Sequence, residues 1–179
     1  MPTHVVLLRG VNLGARNKVP MARLRELLTE LGYAEVRTFL QSGNVLLSSR
    51  RSGSRVAADV RAAIAGEWSL DIPVITRTVS ELGAVLAADP LPGASADPRC
   101  YLVTFLDAPL SADGQKRLET GEFGDEQWAV IGREVYTWTA RGIHDAKVIR
   151  ALGSKAVGAT GTARNWDTVR KLHALALDG

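Results

Sequence analysis

The sequence predicts an α+β protein with an N-terminal ferredoxin-like (βαββαβ) subdomain and a smaller C-terminal α+β subdomain. Three observations carry this. Short β-prone runs alternate with helix-period stretches in the order β-α-β-β-α-β over residues 4–77. Pro, Gly and Ala then concentrate in "DPLPGASADPR", residues 89–99, as at an interior boundary. Beyond that boundary much of the same element order returns, without a residue-level repeat. The expected division is residues 1–90, a linker over 91–98, and residues 99–179.

Each element has its own signal. His4–Val11 is an apolar run of strand length. In "PMARLRELLTELG", Met21, Leu24, Leu27, Leu28 and Leu31 fall on one helical stripe. Pro20 suits the first turn and Gly32 the left-handed stop. Val36–Gln41 and Asn44–Ser49 are β-prone runs around Ser42-Gly43, a hairpin signal. Val56, Val60, Ile64 and Trp68 recur every four residues in a second helix, with Ser54 available as its N-cap. Ile72–Arg77 reads as a strand and Ser80–Ala88 as a short helix.

In the second half, "CYLVTFL" (100–106) is a continuous apolar run, as expected of a central strand buried on both faces. Ser111–Thr120 reads as a helix, and "QWAVIGREVYTWT" as a hairpin turning at Gly132-Arg133 with Trp128, Val130, Val135 and Tyr136 packing. Asp145–Leu152 is a short helix followed by Gly153. "ATGTARNWDTVRKLHALAL" reads as a small-residue loop entering a last helix with Trp166, Val169, Leu172 and Leu175 or Ala176 inward.

Composition narrows the function classes. The chain has 179 residues, 46% hydrophobic and 23% charged, enough to bury a core. No apolar run reaches the roughly 18 residues of a membrane span, and the N-terminus lacks a basic, apolar secretory signal. The single cysteine, Cys100, excludes an internal disulfide and a thiolate metal cluster. A cytoplasmic location is the simplest expectation. The net charge is +3, unevenly spread: residues 1–60 carry nine Lys/Arg against four Asp/Glu, 61–140 six against twelve, and 141–179 seven against three. Two basic ends brought together would favour an anionic partner.

The chemistry-bearing stretch is "LLRGVNLGARNKVPM", residues 7–21. It fits neither the P-loop nor G-x-G-x-x-G. Two glycines, two amides and three cations remain on a strand-to-helix turn, where backbone N–H groups and a helix start favour an anion. Its asparagines also suit loop backbone. "QSGN" (41–44) is ordinary hairpin punctuation whose side chains a split βαβ fold brings toward that turn. Arg164 of "GTARNWDTVRK" is a fork-shaped donor beside a helix cap at Thr162 or Asn165. His4, His144 and His173 lack metal-ligand spacing, so no metal is expected. Cys100 reads as buried and inert, and Asp125-Glu126 as solvated. No nucleophile elbow or general base stands out, so neither an enzyme class nor a cofactor is assigned. The aliphatic strands weaken a base-stacking RNA reading.

The long stretch from Leu7 to Ser49, followed by "TARNWDTVRKL", resembles the bacterial family catalogued as domain of unknown function 1697. That family's pattern is approximately an L-R-G-I-N-V-G-G loop, a helix near K-V-x-M, an S-G-N-V hairpin and a late T-x-R-N-W-x-T-V segment. The resemblance implies a ferredoxin-like first part joined to a smaller α+β part. Carried residue by residue, it marks Arg9, Gly10, Asn12, Lys18, Ser42, Gly43, Asn44, Arg164, Asn165, Trp166 and Thr168. Gly14-Ala15 departs from the family's Gly-Gly. Ala146-Lys147-Val148 departs from Ser-Lys-Leu but keeps Lys147.

The reading expected from the sequence is therefore a small anionic ligand, phosphorylated compounds among the candidates, in a cleft between the subdomains. Arg9, Asn12, Lys18, Ser42, Asn44, Lys147, Arg164 and Asn165 would line it. Two alternatives stand beside it. One is a nucleic-acid-binding module using the basic face, and the other is a set of caps and turns that only specify the fold. No membrane partner is expected, and the oligomeric state is left open.

Overall fold

A computed structural model describes residues 1–91, 93–140, 146–153 and 157–178. The fold is α+β, with two four-stranded antiparallel sheets and six α-helices among the described residues. Contacts divide the chain into one unit of Met1–Ala84 with Lys171–Gly179, and a second of Val85–Arg170.

The first unit runs β1 (His4–Leu8), α1 (Met21–Glu30), β2 (Ala34–Phe39), β3 (Asn44–Ser48), α2 (Gly53–Trp68), β4 (Val74–Thr78) and α3 (Val79–Ala88). Its sheet has the order β2-β3-β1-β4, with β1 antiparallel to both β3 and β4. Every residue of β1 is buried, which explains its unbroken apolar run. The α1 stripe places Met21, Leu24 and Leu28 in the core, whereas Leu31 at the helix end stays exposed. The four-residue spacing of α2 puts Val56, Val60 and Ile64 at 0% exposure against Val6, Leu8 and Val45. Each such side chain contributes about 1.5–3 kcal/mol of transfer free energy.

The second unit runs β5 (Tyr101–Leu106), α4 (Ala112–Thr120), β6 (Gln127–Ile131), β7 (Glu134–Trp138), α5 (Lys147–Leu152) and β8 (Gly161–Asn165), then enters α6 (Trp166–Leu177). The sheet order β6-β7-β5-β8 repeats that of the first unit position for position. Leu106, Leu118, Val135, Val148 and Leu152 form its helix-facing core. Trp166 stacks on Tyr101 with ring centroids 4.6 Å apart, and the Tyr136 hydroxyl donates to the Val85 carbonyl at 3.0 Å.

Several local expectations change. Residues 161–165, read as a loop, form strand β8, because pairing with β5 over Leu102–Leu106 supplies the ladder that small residues do not advertise. Ser52, not Ser54, caps α2, its Oγ accepting from Arg55 N at 3.3 Å. Cys100 lies just outside β5 and is half-buried. His173 is half-buried, and a Cβ on Gly83 would come within 3.0 Å of its Nε2. His144 and Asp145 lie outside the described residues. No helix is long and apolar enough to cross a membrane among the described residues.

Candidate functional site

Residues 9–20 connect β1 to α1, and their shape follows from two asparagines. The chain turns repeatedly through positive φ, with Asn12 at 56° and Asn17 at 50°. Short amide side chains tolerate that region because they bond local backbone. The Asn12 amide donates to the carbonyls of Val19 at 2.9 Å and Gln41 at 2.8 Å, and its Oδ1 accepts from Val19 N at 2.9 Å. Asn17 donates to the Gly10 carbonyl at 3.0 Å. Asn12 thus ties the loop to itself and to the β2–β3 hairpin, and both its N–H groups are spent within the protein.

The hairpin is pressed onto the loop from the other side. Gly43, at φ 79°, passes its carbonyl to Leu8 N at 2.8 Å. A Cβ there would stand 2.6 Å from Val11 Cγ2 and 2.7 Å from Leu8 Cβ, so only glycine fits. Asn44 is fully buried and donates to the Phe39 carbonyl and to Ser42 Oγ, holding the turn shape. Arg9, Asn12, Lys18, Ser42 and Asn44, expected together from the sequence, therefore belong to one bonded pair of loops in the first unit.

The charges of this loop stand apart from its amides. Arg9 is half-buried, while Arg16 and Lys18 are exposed. None of the three has an ion pair or side-chain hydrogen bond among the described residues. Pro20 at the α1 N-cap offers no side-chain acceptor, and the first turn holds no acid. Leu13 of the loop and Leu40 of the hairpin are 71% and 54% exposed.

The other three expected residues belong to the second unit and have other partners. Arg164, on β8, is 8% exposed, and burial pushes its guanidinium down to about 10. Its Nη1 donates to Thr162 Oγ1 and to the Ala163 carbonyl, both at 2.8 Å. Asn165 caps α6, its Oδ1 accepting from Thr168 N at 2.8 Å. Lys147 opens α5, where its N–H and that of Val148 donate to the Glu126 carboxylate at 2.7 and 2.9 Å. Glu126, read from sequence as solvated, is thus a long-range helix cap, with no local signal to announce it.

Among the described residues, no group of three or more His, Cys, Asp or Glu could hold a metal. Arg16 escaped the sequence-derived set because no family motif marks it; its place among the loop cations was the available signal.

No curated protein matches the chain. A solved structure, that of the conserved bacterial protein SP0830 from Streptococcus pneumoniae, is similar over 98% of this chain and 98% of its own, at 23% identity and a TM-score of 0.78. That likeness concerns the fold alone. The model of a family described as a protein of unknown function, DUF1697, matches residues 1–136, three quarters of the chain and the whole of both loop motifs. The chain belongs to the DUF1697 family.

Proposed function

We propose that the first unit binds a small anion, a phosphorylated metabolite in the simplest case, at the β1–α1 loop. The observation that carries this reading is the set of Arg9, Arg16 and Lys18 without carboxylate partners among the described residues, on a loop whose backbone Asn12 and Asn17 tie down. Cations carried on a tied backbone attract an anion, and the uncapped start of α1 adds its dipole in the same sense. Asn12 and Asn44 then act as scaffold for the ligand groups. The strand order β2-β3-β1-β4 supports describing the first unit as ferredoxin-like. The single cysteine supports a reducing, cytoplasmic setting.

Isothermal titration with phosphosugars and nucleoside monophosphates tests the reading. Arg9→Ala and Lys18→Ala should each weaken binding about tenfold, the loss of one charge-assisted contact. Their melting temperatures should stay at the wild-type value. Affinities unchanged in both variants would remove the proposal. Binding confined to oligonucleotides and falling steeply with salt would transfer the loop to nucleic-acid contact.

A further inference from the structure

The second unit carries a cavity of about 380 Å³, lined by Arg117 and Thr120 of α4, Gly121 and Phe123 after it, and Lys147 and Arg150 of α5. Three of its side chains are cationic, and no lining residue among those described is acidic. Arg117 and Lys147 make no ion pair among the described residues. Glu126, the carboxylate that reaches α5, is engaged by the amides of Lys147 and Val148.

Helix dipoles account for part of this arrangement and fail for the rest. Arg117 and Arg150 lie in the last turns of their helices, where a cation is favourable. Lys147 lies in the first turn of α5, where it is not. Its Nζ is turned to the Glu122 carbonyl at 3.4 Å, on the rim shared with Phe123. Like charges gathered on fixed helices repel, and an anion among them relieves that repulsion.

The apolar wall is equally fixed. Phe123 packs on the cluster of Leu118 and Leu152, and its ring occupies the space a Cβ on Gly121 would need. The cavity volume falls within the roughly 300–1,000 Å³ typical of small-molecule sites. We propose that this cavity binds a small phosphate monoester carrying a flat apolar group. Arg117 and Lys147 would hold the dianion, with the apolar group against Phe123. The site uses no residue of the β1–α1 loop and stands whether or not that loop binds a ligand.

Phenyl phosphate is the probe, followed by calorimetry and by amide NMR shifts at Phe123, Lys147 and Val148. Saturable binding is expected, weakened about tenfold in Arg117→Ala and in Lys147→Gln. The affinity read from the Phe123 and Val148 amide shifts alone should be unchanged in Arg9→Ala and Lys18→Ala, which separates this site from the loop. Inorganic phosphate should bind more weakly than phenyl phosphate, and Gly121→Ala, which displaces the Phe123 ring, should erase that preference. Thermal melts check folding, and the exposed Lys147 carries the test should Arg117→Ala unfold. Absence of saturable binding, or binding indifferent to the cation variants, overturns the proposal. Equal affinity for the two phosphates overturns its aromatic half.

Discussion

The two units place several of the same hydrogen bonds at the same points of one strand order and differ in the connection that leaves the first strand of each. Leu8 N donates to the Gly43 carbonyl as Leu106 N does to that of Arg133, and Arg9 N to Pro73 as Asp107 N to Thr160. The fourth strands pair Arg77 with Val5 and Arg164 with Val103. Both arginines are buried, and each donates from Nη1 to the carbonyl of the residue before it at 2.8 Å. One residue later, Thr78 and Asn165 accept from the amides of Glu81 and Thr168, capping the helix that follows. The strand-to-helix connection is another matter. In the first unit it is the cationic loop 9–20, and in the second the short segment 107–111, where Asp107 takes Thr160 N at 2.8 Å. What recurs in both units is framework. What occurs in one is free to serve a ligand.

On that ground Arg164 is a framework residue despite its place in a family motif. Arg77→Ala and Arg164→Ala should each lower unfolding free energy by about 2–4 kcal/mol, from lost charge-assisted bonds and the void left behind. Urea denaturation of both variants measures this. A stable Arg164→Ala beside a crippled Arg77→Ala would break the equivalence and return Arg164 to the ligand.

The hairpins give the next largest effect. Gly43→Ala meets a positive φ and two core side chains at once and should cost about 2–3 kcal/mol. At the matching turn, Gly132 has φ 60° and its Cβ would meet nothing nearer than Glu134 Oε2 at 3.8 Å. Gly132→Ala should therefore cost only about 1 kcal/mol, the conformational part alone. Equal losses would mean that the Gly43 turn is not pressed onto Leu8 and Val11.

Particular residues show what the sequence could and could not say. Val56, Val60 and Ile64 announced α2 because one face of one helix does the burying. Residues 161–165 hid their strand because its reason lies in β5, some sixty residues away. Glu126 hid its capping role for the same cause, since it acts on a helix twenty-one residues downstream. The β1–α1 loop was legible as polar and cationic. Its division into scaffold amides and unpaired charges was not, because that depends on which carbonyls Asn12 reaches.

His4 carries the smallest predicted effect and sharpens the comparison most finely. It pairs with Thr78 and Leu47 at the position where Leu102 pairs with Asn165 and Thr137, so only the first unit has an ionisable group there. Burial lowers the pKa of His4, and the Glu81 carboxylate opposes this only in part. The imidazole therefore binds its proton less readily in the folded than in the unfolded chain. Stability is full above the unfolded value of about 6.5 and is lost as pH falls through the lower folded value. The urea midpoint should decline between pH 7.5 and 5, and His4→Leu, which copies the second unit, should flatten that slope. A slope that survives the substitution would remove His4 as its source. Carboxylates act at lower pH: Asp59, against its own burial, is held below its usual range by Tyr33, Arg51 and Arg55, so its contribution persists above the ordinary value of 3.8 and is lost only beneath it.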